Sequence, residues 1–195
     1  MSSHAATASA AAVPADSSTA STASKALTIG LIGLALTAVG IFISGAAKVA
    51  MSYLVGVTYW TAIAIGMLLL ILIHHIVDAS WSAVVRRQWE HALAAFKWLA
   101  ILFVPLVLAS LFYGHGDLIW PWMNPDHVIH GGHTVGHDPL YVKKSGFLNT
   151  TGFILGTYGS FLLWMWISAR LRKASFAQDA DGDVKWTFMN RKTSA

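Results

Sequence analysis

His74, His75 and Asp78 stand close together in the chain, and His74 and Asp78 are spaced i, i+4, so on a helix they share one face. A carboxylate beside an imidazole fixes one ring tautomer and favours the charged ring, which suits the pair to proton exchange. Lys97, a short way into the next apolar run, is a further proton-path candidate; its long stem also lets it snorkel to an interface. His91 opens that run across a short connection from His74 and His75, so imidazoles from adjacent helices are placed to flank a b-type haem iron.

A second group of histidines lies further on. Residues 126–138 read DHVIHGGHTVGHD, and His115 precedes them. His127, His130, His133 and His137 follow an H-x2-H-x2-H-x3-H spacing compatible with zinc, copper or nickel. Gly131, Gly132 and Gly136 loosen the segment and no thiolate fixes it, so a solvated loop competes with a metal site. DADGD at 179–183 is not a calcium loop: glycine stands fourth rather than sixth, and position twelve is Asn190. Asn149-Thr150-Thr151 has the form of a glycosylation acceptor but reads as a polar helix start.

These residues sit in a membrane-protein composition. The 195 residues are 55% apolar, 12% aromatic and only 11% charged, with a mean hydropathy of +0.57. The net charge of +4 does not point to nucleic acid, because the Lys and Arg flank hydrophobic runs. Without cysteine the chain ligates no iron–sulfur cluster through thiolates, attaches no c-type haem and forms no disulfide.

Four apolar runs are long enough to cross a bilayer as helices, at about 26–47, 53–77, 91–113 and 147–171. The expected fold is therefore an all-α integral membrane protein, the first part of a longer polytopic bundle. Residues 1–24, rich in Ala, Ser and Thr, read as a disordered tail; the long uncharged lead fits a cleaved signal poorly. Residues 25–173 form the membrane region, 114–146 its histidine-rich loop, and 174–195 a polar linker toward a further span. Pro105 predicts a kink that frees the Ile101 carbonyl, and Gly152 and Gly156 form a G-x-x-x-G packing face.

Counting positive charge fixes the expected orientation. Lys25, Arg86, Arg87, Arg170, Arg172, Lys173, Lys185, Arg191 and Lys192 fall on one side, and Lys48, Lys143 and Lys144 on the other. The termini are thus expected in the cytoplasm and the histidine-rich loop outside. Arg86 and Arg87 with Glu90 read as a positive-inside anchor with a local ion pair, or as contacts to lipid phosphate or a partner subunit.

SYLVGVTYWTAIAIGMLLLILIHHI, W-x4-RRQWEHA, LAILFVPLVL, KKSGFLNTTGF, QDADGD and NRKTSA, taken in order, resemble the N-terminal portion of the F subunit of bacterial alternative complex III, over residues 48–195. That subunit is a polytopic, NrfD-like (polysulfide reductase membrane-subunit) protein. The resemblance implies a place in a quinol-oxidising respiratory complex of the bacterial inner membrane. Iron–sulfur and haem groups would lie on partner subunits, none in this chain, and quinol in the complex, more readily at the sister subunit. It makes His74, His75, Asp78 and Lys97 proton-path positions, and Arg86, Arg87, Glu90, Pro105 and Asn149 structural ones. Scaffold and proton pathway are the expected contribution, with no catalytic residue and no activity of the chain alone. The family chain is about twice as long. The rivals are a self-contained membrane metal-binding or transport protein using the loop histidines, and a b-type haem anchor.

Overall fold

The structure, a computed structural model, describes residues 17–77, 80–112, 118–129 and 131–195. The expected proton-path residue Asp78, the loop residues His115 and His130, and most of the N-terminal tail lie outside them. Among the described residues seven α-helices follow in order: α1 (Ser17–Ser44), α2 (Ala46–Val77), α3 (Ala83–Ala92), α4 (Ala95–Phe112), α5 (Pro139–Lys144), α6 (Thr150–Asp181) and α7 (Lys185–Ser194). Four helical segments are long and apolar enough to cross a membrane: Ser21–Ser44, Ala46–Val77, Val84–Phe112 and Thr150–Asp181. The chain is a multi-pass, all-α membrane protein, as its composition requires.

The chain divides into two units, Met1–Gly45 and Ala46–Ala195. In the first, α1 is apolar around its whole circumference, and Leu31, Leu36, Phe42 and Ile43 are exposed. A helix of this kind is stable only in a non-aqueous surrounding.

In the second unit α2, α4 and α6 pack together. Leu68, Ile71, Leu93, Phe96, Leu99, Phe161 and Leu171 make its main core. Phe161 lies 5.3 Å from Trp164 and 5.9 Å from Phe103, ring centre to ring centre. Lipid is as apolar as these side chains, so contact and shape hold this core together, more than escape from water. α2 and α6 each run 32 residues, about 48 Å. Both are longer than a hydrocarbon layer of about 30 Å, so part of each stands outside it.

Several boundaries differ from the sequence reading. Lys48 belongs to the first turn of α2, because Ala46 and Ala47 are good helix formers and only Gly45, at φ 86°, interrupts the helix. The third span has two parts: α3 is a separate short helix, a turn at Leu93 and Ala94 follows, and α4 then enters the membrane. Arg86 and Arg87 are therefore helical. The fourth span continues ten residues past 171, to Asp181. Pro105 lies inside α4, and the Leu102 carbonyl near it accepts the Tyr53 hydroxyl at 2.8 Å. The Tyr53 hydroxyl thus reaches α4 one residue past Ile101, whose carbonyl is the one proline leaves without its helical donor.

The segment 174–195, expected as a linker, is folded. α6 stops at Gly182, whose φ of 68° suits glycine. Asp183 accepts the Lys185 backbone N–H at 2.8 Å, and the Trp186 indole donates to Asp181. These bonds turn the chain into α7, which packs on α2 and α6. Arg170 to Thr193 at 3.0 Å and Gln178 to Thr187 at 2.7 Å fix it antiparallel to α6. DADGD is a corner between helices.

The histidine-rich segment is more ordered than a flexible connector. Ile119 is buried with Val57 and Leu106, and Trp120 packs on Phe153 at 4.5 Å. Val128 and Thr134 form an antiparallel bridge, flanked by bonds from Ile129 N–H to the His133 carbonyl and from Val135 N–H to the His127 carbonyl. Gly131 and Gly132, at φ 98° and 80°, make the reversal. The glycines are turn residues of a small hairpin.

At the start of α6, Asn149 caps the helix. Its side-chain oxygen accepts the Gly152 N–H at 2.7 Å, and its amide donates to the Ser145 and Gly146 carbonyls. The polar-helix-start reading of Asn149 agrees with this geometry. Among the described residues the two glycines of the G-x-x-x-G stretch differ in their surroundings. A Cβ on Gly152 would lie 2.5 Å from the Phe147 carbonyl oxygen, whereas one on Gly156 would meet nothing within 4 Å among the described residues.

Candidate functional site

The polar groups with chemical potential collect at the end of the unit where α2 and α6 finish and α3 begins. At the last turn of α2, His74 and His75 are both buried, with ring centres 5.2 Å apart. The chain then passes through a short 3₁₀ turn, Ser80–Ser82. Ser82 is fully buried, and its Oγ lies 2.6 Å from His74 Nδ1. On the other side of the ring, Arg86 Nη1 of α3 is 3.5 Å from His74 Nε2. A guanidinium only donates, so this long contact favours the tautomer in which Nε2 accepts and Nδ1–H donates to Ser82.

One α3 turn further lies Glu90, with 0% of its surface exposed. Spacing explains two of its partners. Arg86 (i−4) brings Nε to 3.4 Å from Oε1, and Arg87 (i−3) donates from Nη1 to Oε2 at 3.0 Å. The Arg86 contact is close enough for charge pairing but lacks hydrogen-bond geometry. The third partner comes from α6: Ser175 donates its hydroxyl to Glu90 Oε2 at 2.9 Å. Arg87 also pairs with Asp179 of α6, and its guanidinium stands 4.9 Å from the centre of the Phe176 ring.

A carboxylate this deeply buried is tolerated because two guanidiniums and a hydroxyl surround it. The arginines stay charged at any physiological pH, so they shape the field and do not pass protons on. Among the described residues of the cluster, the carboxyls of Glu90 and Asp179 and the imidazoles of His74 and His75 are the side chains whose chemistry suits proton exchange. The arrangement can hold a proton and exchange it near the membrane boundary, with Asp179 reaching the surface beside it.

The structure therefore brings His74 and His75 together with Arg86, Arg87 and Glu90. The Glu90 ion pair expected from RRQWE is present. Lys97 stands apart: it is exposed, with Nζ 5.3 Å from the Trp98 ring centre. Ser82, Ser175 and Asp179 belong to the cluster without having been marked by the sequence. Ser175 and Asp179 share a face of α6 by i, i+4 spacing, but only the packing of α6 on α3 reveals what that face meets.

The cluster does not fit a bis-histidine haem. Both His74 nitrogens face polar partners, and His91 is exposed and rests on Phe176, 5.8 Å between ring centres. Among the described residues, no group of three or more His, Asp or Glu side chains is placed to share a metal ion. In the hairpin His133 and His137 are exposed, and His137 Nδ1 is 2.7 Å from Thr134 Oγ1. No family model matches the chain, and no curated protein matches it.

Proposed function

We propose that this chain is a membrane subunit of a quinol-oxidising respiratory complex in a bacterial inner membrane, with its termini in the cytoplasm. It contributes a helical scaffold and a proton-handling cluster built on Glu90, His74 and His75. The observation that carries the proton reading is Glu90: a fully buried carboxylate on the short helix α3 that precedes α4, bracketed by Arg86, Arg87 and Ser175. Ionisable groups in such positions are costly and mark function by default. The respiratory assignment rests on the resemblance of residues 48–195 to the F subunit of alternative complex III. Partner subunits would carry the iron–sulfur and haem groups, and the sister subunit the quinol.

The test is to tag the chain in its native membrane, solubilise gently and isolate what comes with it. Haem absorption, iron–sulfur signals and quinol oxidation in the isolated complex are the expected result. A tagged chain that comes out colourless, alone and without that activity contradicts the assignment.

A further inference from the structure

Among the described residues, Arg86 pairs with Glu90, and Arg87 with Glu90 and Asp179. Arg172 pairs with no carboxylate among the described residues, and its Nε is buried without a hydrogen-bond partner. Its guanidinium carbon lies 5.6 Å from the centre of the Phe176 ring. Arg87 lies 4.9 Å and the His91 ring 5.8 Å from that same centre. Two guanidiniums thus converge on one aromatic ring, and of the two only Arg87 has carboxylates beside it among the described residues. A buried N–H with no acceptor adds a desolvation cost. An anion seated against the part-exposed Arg172 side chain supplies the counter-charge it lacks.

We propose that Arg172 and His91, on either helix beside Phe176, bind the phosphate of an anionic phospholipid. Height along α6 identifies the source of the phosphate. Trp166 is exposed, and the Arg170 guanidinium stands 5.7 Å from its ring centre, a pairing of aromatic and basic side chains that marks the headgroup layer. Arg172 lies within the next turn, so bilayer phosphates lie at its level. The planar guanidinium fork matches a phosphate bidentately. The unbalanced positive charge favours a headgroup with net negative charge, such as phosphatidylglycerol, over a choline headgroup that brings its own cation. The sequence offered Arg86 and Arg87 for lipid phosphate, but Glu90 and Asp179 occupy them, and the lipid contact passes to Arg172.

The experiment is native mass spectrometry of the full chain in mild detergent, titrated with phosphatidylglycerol or phosphatidylcholine. The wild-type chain is expected to retain phosphatidylglycerol selectively. Arg172→Gln weakens that retention by roughly tenfold, the scale of a lost charge-assisted hydrogen bond. Lys173→Gln removes the same charge about 100° around the helix and leaves retention as in wild type. Arg172→Lys keeps the charge without the fork and gives an intermediate loss; its helical circular dichroism shows that the fold survives. Absence of lipid selectivity in the wild-type chain, equal losses in the Gln variants at 172 and 173, or displacement of the lipid by inorganic phosphate at equal concentration overturns the proposal.

Discussion

Ser175 on α6 donates its hydroxyl to Glu90 Oε2 on α3 at 2.9 Å, joining groups 85 residues apart in the chain. This bond ties α6 to α3 beside the Phe176 ring, which rests against Arg87 and His91 of α3. Ser175→Ala therefore removes a hydrogen bond to a charged group and is expected to lower stability by about 1–3 kcal/mol. Glu90→Ala strands Arg86 and Arg87 beside a void and costs about 3–5 kcal/mol. Thermal unfolding in detergent measures both. A Glu90→Ala chain as stable as wild type places the carboxylate outside the role assigned to it.

The entry to α6 gives a second prediction. Gly152 has no room for a methyl group, because the Phe147 carbonyl oxygen occupies its place at 2.5 Å. Gly152→Ala is expected to destabilise the chain by about 1–3 kcal/mol, by overpacking. Asn149→Ala loses the cap and costs about 1 kcal/mol. Gly156→Ala, with open space at its Cβ, is the neutral control. Equal melting temperatures for the variants at 152 and 156 contradict the close approach.

The hairpin predicts the behaviour of the histidine-rich segment toward metals. Among the described residues its side chains do not converge as a ligand set. Zinc or copper titration by calorimetry is expected to give no saturable binding that His133→Ala or His137→Ala abolishes. Gly132→Val, forcing a β-branched residue into φ 80°, is expected to disturb the hairpin itself. Stoichiometric metal binding lost with those histidines revives the metal-protein rival.

The α6–α7 corner carries a pH dependence. The Lys185 ammonium, by hydrogen bond and charge, holds the Asp183 carboxyl below its ordinary range, and Asp183 in turn raises Lys185. For Asp183, a lowered value in the folded chain gives stability that is present above the ordinary carboxylate range, about pH 4, and lost as pH falls below it. For Lys185, a raised value gives stability that is complete below about pH 10 and lost as pH rises through the raised value. The seat of α7 is thus firmest between these limits. A fluorotryptophan resonance from Trp186 should hold its position across that window and shift at both ends; Lys185→Gln should abolish the alkaline shift.

Helix content was legible in the sequence because apolar length decides it in lipid, and the spans follow from hydropathy alone. The i−3 and i−4 pairing of Arg87 and Arg86 with Glu90 was legible too, since helical spacing is local. Three things were not. Whether Glu90 is buried depends on α6 covering α3, and α7 depends on a polar corner whose Asp181, Asp183 and Trp186 read as part of a polar linker. The hairpin glycines looked like sources of flexibility because the bridge from Val128 to Thr134 closes only when the backbone is in place.

Proton coupling through Glu90 and His74 is the property that one measurement reaches directly. In the assembled complex, reconstituted into vesicles and driven by quinol oxidation, protons moved per electron are measured for wild type, Glu90→Gln and His74→Ala. Both variants are expected to assemble and oxidise quinol with a lower proton yield. An unchanged proton-to-electron ratio in both contradicts the assignment of this cluster to proton handling.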